Sequence, residues 1–177
     1  AGACAVQRLA GSILIIASTA GIGWLYGTEL KNYLQKMRYI RYVAGLIKGE
    51  LEYTGAPLAE VFRETGRRVK KPFSTWLVRM ASEIDEREES AFARIWNRGI
   101  DRDLRELNLK SEHSILLKEL GTFLGQIDQE TAGKSMQLYL NRLDLEIEKL
   151  REGLAAKRKI GNCLGVMGGI FLVVVLL

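Results

Sequence analysis

Two uncharged apolar segments lie at opposite ends of the chain and enclose nearly all of its charged side chains. Residues 9–28 and 160–177 contain no Asp, Glu, Lys, Arg or His, and only Arg8 carries a charge outside residues 29–159. At a rise of about 1.5 Å per residue, either segment forms a helix of roughly 27 to 30 Å, close to the hydrocarbon thickness of a bilayer. The pattern predicts an N-terminal segment over residues 1–8, then transmembrane helices over 9–28 and 160–177 that flank a soluble domain over 29–159.

The soluble domain has a helical pattern throughout. Its apolar residues recur at three- and four-residue steps, and no alternating strand pattern is present. The first stripe continues from the first apolar segment and is expected to end near Gly55. Pro57 and Pro72 are typical of helix starts, and Ser111 is a plausible N-cap. We therefore predict an all-α fold in which the two transmembrane helices flank a helical bundle.

The last stripe of this domain has the most regular spacing. Its apolar residues alternate steps of four and three: Met136, Leu140, Leu143, Ile147, Leu150 and Leu154. Such a seam can pack inside one bundle or form a dimeric coiled coil. Packing inside one bundle is favoured because the seam covers fewer than three heptads. Formation of a homo-oligomer remains the alternative.

The charges beside the apolar segments predict the orientation of the protein. Basic residues cluster on the inner flanks, whereas the outer flanks offer only Arg8 and the chain N-terminus. These inner basic residues are Lys31, Lys36, Arg38, Arg41, Lys149, Arg151, Lys157, Arg158 and Lys159. The positive-inside rule then places the domain in the cytoplasm and both termini outside.

An alternative interpretation treats the first apolar segment as a cleaved signal. The small residues over 17–20 would suit a signal peptidase. Trp24 and Tyr26 favour a retained span instead, because aromatic side chains collect at membrane interfaces. Cleavage would leave a tail-anchored envelope scaffold with its domain outside the cell.

The polar residues carry no catalytic or metal-binding pattern. The 26 basic and 21 acidic residues are interleaved along the predicted helices, which is typical of solvated faces and not of a nucleic-acid interface. The single histidine, His113, is expected at the surface, and a metal site needs several converging ligands. The sequence shows neither a catalytic triad nor a glycine-rich phosphate loop. We expect no enzymatic activity and no cofactor.

A short basic cluster is explained most simply as a solvated loop, and it is also the best candidate for contact with a partner. Arg67, Arg68, Lys70 and Lys71 are expected in a loop between short helices, with no neighbouring run of carboxylates. Charges that lack a partner within the chain are able to steer an acidic partner protein.

Glycines in the second apolar segment predict a packing face. Gly161, Gly165 and Gly169 recur at every fourth residue and therefore share one side of a helix. Small residues at this spacing let a second membrane helix approach closely. We interpret them as a surface for the first span or for another subunit.

Several local segments together resemble a known family. They are Arg8–Gly11, Ala17–Thr19, Leu46–Thr54 with Pro57–Leu58, Gly66–Arg68, Trp96, Leu120–Gly121, Leu124–Gly125 and Gly165–Gly169. With these segments the chain resembles the stage III sporulation protein AB family of endospore-forming bacteria over essentially its whole length. None of the segments is a catalytic motif, so they indicate a family without indicating a reaction.

The resemblance implies a structural role in sporulation. It implies a component of the channel complex between mother cell and forespore, with a helical domain similar to the inner-membrane platform proteins of type II secretion and type IV pilus systems. The implied partners are the bilayer, other channel subunits and the sporulation-complex ATPase. The implied location is the mother-cell membrane facing the forespore.

Overall fold

In the computed structural model, all regular secondary structure of the described residues is helical. The structure describes the backbone of residues 2–86, 92–125 and 129–176, and side chains chiefly in residues 27–86, 92–125 and 133–157. The elements are α1 (Gly2–Thr54), α2 (Leu58–Arg68), α3 (Phe73–Asp85), α4 (Phe92–Asp103), a 3₁₀ helix (Arg105–Leu107), α5 (Ser111–Leu124) and α6 (Gln129–Leu176). These residues contain no strand, so the all-α prediction is confirmed.

The predicted helix boundaries agree closely with those observed. Helix α1 ends at Thr54, and Gly55 follows with a φ of 60°, a left-handed value that glycine adopts without strain. Pro57 and Pro72 directly precede α2 and α3. The predicted N-cap of α5 is wrong by one residue, because Lys110 has the extended backbone of the capping position and Ser111 is already helical.

The chain divides into two compact units. One, the terminal unit, comprises Ala1–Met37 and Glu146–Leu177, and the other, the bundle unit, comprises Arg38–Leu145. Helices α1 and α6 each contribute to both units. The side chains that the sequence singles out as a partner surface all belong to the bundle unit.

Aromatic rings form the centre of the bundle unit. The indoles of Trp76 and Trp96 are fully buried with centroids 4.6 Å apart, and they join α3 to α4. Phe62 of α2 lies 5.8 Å from Trp96, and Phe73 lies 6.2 Å from Trp76. Each ring brings a large apolar area into the core, so these contacts hold three short helices together.

The regular seam of α6 is part of this core. Met136, Leu140 and Leu143 are each at most 3% exposed within the single chain. The interpretation as packing inside one bundle is therefore confirmed for these three residues.

An ion pair joins α1 to α6 in the same unit. The guanidinium of Arg41 donates to both carboxylate oxygens of Asp144, at 2.9 and 3.1 Å. Two parallel bonds of this kind fix the relative register of the two side chains. The long helices are thus joined by a geometrically specific contact as well as by apolar packing.

The two predicted membrane segments, residues 9–28 and 160–177, lie in α1 and α6. Among the described residues, no helix combines the length and apolar character needed to cross a membrane.

Candidate interaction surface

The basic cluster lies at the end of α2 and in the turn that follows it. Arg67 and Arg68 are the last two residues of α2, whereas Lys70 and Lys71 belong to the turn before α3. The prediction of a loop is therefore right for the two lysines and wrong for the two arginines. Cationic side chains in a last helical turn interact favourably with the negative end of the helix dipole, which accounts for the helical position of the arginines.

Both arginines have carboxylate partners. Arg67 pairs with Glu64 on its own helix, and Nη1 of Arg68 donates to Oε2 of Glu50 on α1 at 3.1 Å. The expectation that no carboxylate lies near is wrong for these two residues. Glu64 is three residues earlier and shares the helix face, and Glu50 becomes a neighbour only when α2 packs beside α1.

The two lysines differ from the arginines in having no ion-pair partner among the described residues, and both are exposed. Their turn is held to α1, because the backbone N–H of Lys70 donates to the Tyr39 hydroxyl at 2.6 Å. The ring of Tyr39 also packs edge-on against Phe73, with centroids 5.4 Å apart. Tyr39 therefore fixes the lysine turn beside α1.

Two further side chains of α1, those of Tyr42 and Arg38, are close in sequence to Tyr39 and therefore lie near the lysine turn. Tyr42 has its ring 5.7 Å from the Tyr39 ring and is 50% exposed. Arg38, one turn earlier on the same helix face, is exposed and has no partner among the described residues. We call Arg38, Tyr42, Lys70 and Lys71 the Tyr42 surface. Sequence reasoning treated Arg38 only as an orientation signal and did not single out Tyr42.

Ion pairs elsewhere in the bundle unit mostly connect helices to each other. Asp103 at the end of α4 accepts bonds from Arg79 of α3 at 2.5 Å and from Arg102 at 2.9 Å, and Arg102 also donates to Glu83. The hydrogen bond to Asp103 is the largest cause that raises the pKa of Arg102, and partial burial opposes it. These charges are committed to partners within the chain.

His113 has a different environment from the expected one. It lies in the first turn of α5 and is only 3% exposed, so the prediction of a surface histidine is wrong. Its position gives the reason, since His113, Leu116, Leu117 and Leu120 share one helix face at steps of three and four. Across the described residues, no three His, Cys, Asp or Glu side chains form a group suited to a metal ion.

The glycine face of the second apolar segment is helical. Gly161, Gly165 and Gly169 all belong to α6. Their surroundings lie outside what the structure describes, so the packing role stays a prediction.

The fold is that of a helical-bundle protein that exposes basic and aromatic side chains on one surface. The family model described as stage III sporulation protein AB matches residues 8–177. The chain therefore belongs to the stage III sporulation protein AB family, which implies a role in sporulation.

A solved structure agrees with the helical fold. It is described as stage III sporulation protein AB, and it superposes with a TM-score of 0.59 at 22% sequence identity. The match covers 68% of this chain and 94% of that chain. Comparison with curated proteins gives no match.

Proposed function

We propose that this protein is a membrane platform component of the channel between mother cell and forespore, with a structural role and no enzymatic activity. The observation that carries the proposal is the family match over residues 8–177. This match includes the bundle unit and both uncharged end segments, so the proposal concerns the whole arrangement and not an isolated domain.

The two uncharged segments support membrane attachment. Residues 9–28 and 160–177 are uncharged over 20 and 18 residues, a sequence pattern typical of transmembrane helices. The basic residues on their inner flanks favour a cytoplasmic bundle unit. In the proposed role, the membrane is the mother-cell membrane that faces the forespore.

The Tyr42 surface supports contact with a cytoplasmic protein. Arg38, Lys70 and Lys71 are exposed and are not neutralised by described carboxylates. Arg and Tyr are enriched in the energetically important centres of protein interfaces. The partner that best fits the proposed role is the ATPase of the sporulation complex, which this protein would couple to the other channel subunits.

Site-specific cross-linking in sporulating cells tests this function. A photo-reactive residue at Lys71 is expected to capture the sporulation ATPase or another channel subunit. The matched control is the same residue at Glu106, which is also exposed but lies on the 3₁₀ helix. Capture of extracytoplasmic envelope proteins from Lys71 would contradict the proposal and favour the tail-anchored scaffold.

A further inference from the structure

The Tyr42 surface combines an exposed aromatic ring with three cations that have no ion-pair partner in the part of the chain that the structure describes. Arg38 and Tyr42 come from α1, and Lys70 and Lys71 come from a turn about thirty residues later. The structure joins the two segments through the bond from the Lys70 N–H to Tyr39. The lysine turn therefore lies beside the segment of α1 that carries Arg38 and Tyr42.

Three neighbouring arginines hold carboxylates within the chain. Arg41, next to the surface on α1, holds Asp144, while Arg68 holds Glu50 and Arg67 holds Glu64. Among the described residues, no carboxylate pairs with Arg38, Lys70 or Lys71. Such a surface attracts negative charge from outside the chain.

We propose that the Tyr42 surface docks a carboxylate-rich segment of a protein partner, an inference that rests on the proposed platform function. Charge complementarity specifies Asp and Glu side chains that face the three cations. The half-exposed ring of Tyr42 adds an apolar contact for the methylene groups of those side chains. Arg67 and Arg68 contribute less, because each would first have to give up a carboxylate within the chain.

Tyr39 is the positioning residue of this surface. Its hydroxyl accepts the hydrogen bond from Lys70, and its ring packs against both Phe73 and Tyr42. Replacement by Phe keeps these ring contacts and removes only the hydrogen bond. Tyr39→Phe is therefore expected to weaken docking through the placement of the lysine turn, without removing a charge.

The experiment has two stages and uses the full-length chain. A photo-reactive residue at Tyr42 is cross-linked in sporulating cells, and the attached peptide of the captured protein is identified by mass spectrometry. We expect a segment rich in Asp and Glu. A cross-link to lipid, to nucleic acid or to a segment without carboxylates would overturn the proposal.

In the second stage, a synthetic peptide of the captured segment is titrated against the purified protein in an uncharged detergent. Lys70→Gln with Lys71→Gln is expected to weaken binding by about tenfold or more at low salt. Arg67→Gln with Arg68→Gln is the matched control with the same change in charge, and it is expected to weaken binding less. Added salt is expected to reduce affinity for the wild type, because the Debye length shortens.

Equal losses in the two double variants, or no salt dependence, would overturn the surface assignment. Thermal unfolding of each variant shows whether the fold is retained.

Failure of this inference is distinguishable from failure of the platform function. If the ATPase is captured from Lys71 but its peptide binds the lysine variant normally, the platform function stands and the docking assignment fails. If a carboxylate-rich segment of a protein outside the channel complex is captured and depends on the lysines, the docking assignment stands and the platform function fails.

Discussion

The indole N–H of Trp96 donates a hydrogen bond of 3.0 Å to the carbonyl oxygen of Leu117, inside the bundle unit. This bond joins α4 to α5 at a point where Gly121, one turn further along α5, lies directly against the indole ring. The absence of a side chain at Gly121 lets the two helices approach closely enough for the bond to form. The glycine and the tryptophan therefore form one packing arrangement.

Gly121→Ala is expected to destabilise the bundle unit. The added Cβ would overlap the carbons of the Trp96 ring and would lie 2.8 Å from its Nε1. Overpacking of this kind costs about 1–3 kcal/mol of unfolding free energy. Gly49→Ala is the control, because a Cβ there meets nothing within 4 Å. Thermal unfolding of the full-length protein checks both, and an unchanged melting temperature for Gly121→Ala would contradict the packing argument.

Tyr139→Phe is expected to stabilise the protein. The Tyr139 ring is 2% exposed, and its hydroxyl has no hydrogen-bond partner in the described part of the chain. Removing a buried, unsatisfied polar group recovers about 1 kcal/mol or more of unfolding free energy. Chemical denaturation at neutral pH measures the difference. A loss of stability would show that this hydroxyl makes a contact that the described residues do not supply.

The same substitution has a pH dependence with a definite sign. Burial, followed by the charge of Glu119, raises the pKa of Tyr139 in the folded state. Above the unfolded-state pKa of about 10, the unfolded chain loses this proton more readily than the folded chain, so the wild type loses stability as pH rises. The advantage of Tyr139→Phe is therefore expected to grow above that pH and to be constant below it. Unfolding curves at neutral and alkaline pH distinguish this from a pH-independent effect.

The proposed topology predicts opposite sidedness for the N-terminus and the bundle unit. With Cys4 and Cys163 replaced by Ser, single cysteines at Gly2 and at the exposed Arg98 provide the two labelling sites. A membrane-impermeant thiol reagent added to intact cells is expected to label the first site and not the second. Labelling of both sites from outside would contradict a cytoplasmic bundle unit.

The glycine face of α6 predicts a difference between two leucine substitutions. Gly165→Leu is expected to weaken assembly and reduce spore formation, because the larger side chain keeps a neighbouring membrane helix away. Position 174 is on the opposite side of the same helix, so Val174→Leu is expected to be tolerated. Equal tolerance of both changes would leave the glycines as ordinary membrane-helix composition.

The helices were predictable from local sequence because their causes are local. Gly55, Pro57 and Pro72 lie at element boundaries through their own backbone preferences, and the apolar steps show which faces are buried. The burial of His113 was also predictable in principle, because its spacing to Leu116 and Leu117 places it on the apolar face. The helical position of the imidazole, and not its polarity, determines its burial.

The interaction surface was only partly predictable, because its contacts are distant in sequence. Lys70 and Lys71 were found as part of a basic run. Two other contacts depend on how α2 and its following turn pack beside α1. In the first, Glu50 neutralises Arg68, and in the second, Tyr39 holds the lysine turn. Periodicity shows which face of a helix is buried but not which residue of another helix it meets.

The closeness of the Trp76 and Trp96 rings has an optical consequence. Indoles 4.6 Å apart and inclined by 57° have strongly coupled transition dipoles. Such a pair is expected to produce a bisignate exciton band in circular dichroism, whose amplitude falls steeply as the chromophores separate. The native packing of the bundle unit thus carries its own spectroscopic signature, which reports on the junction of α3 and α4 without an added label.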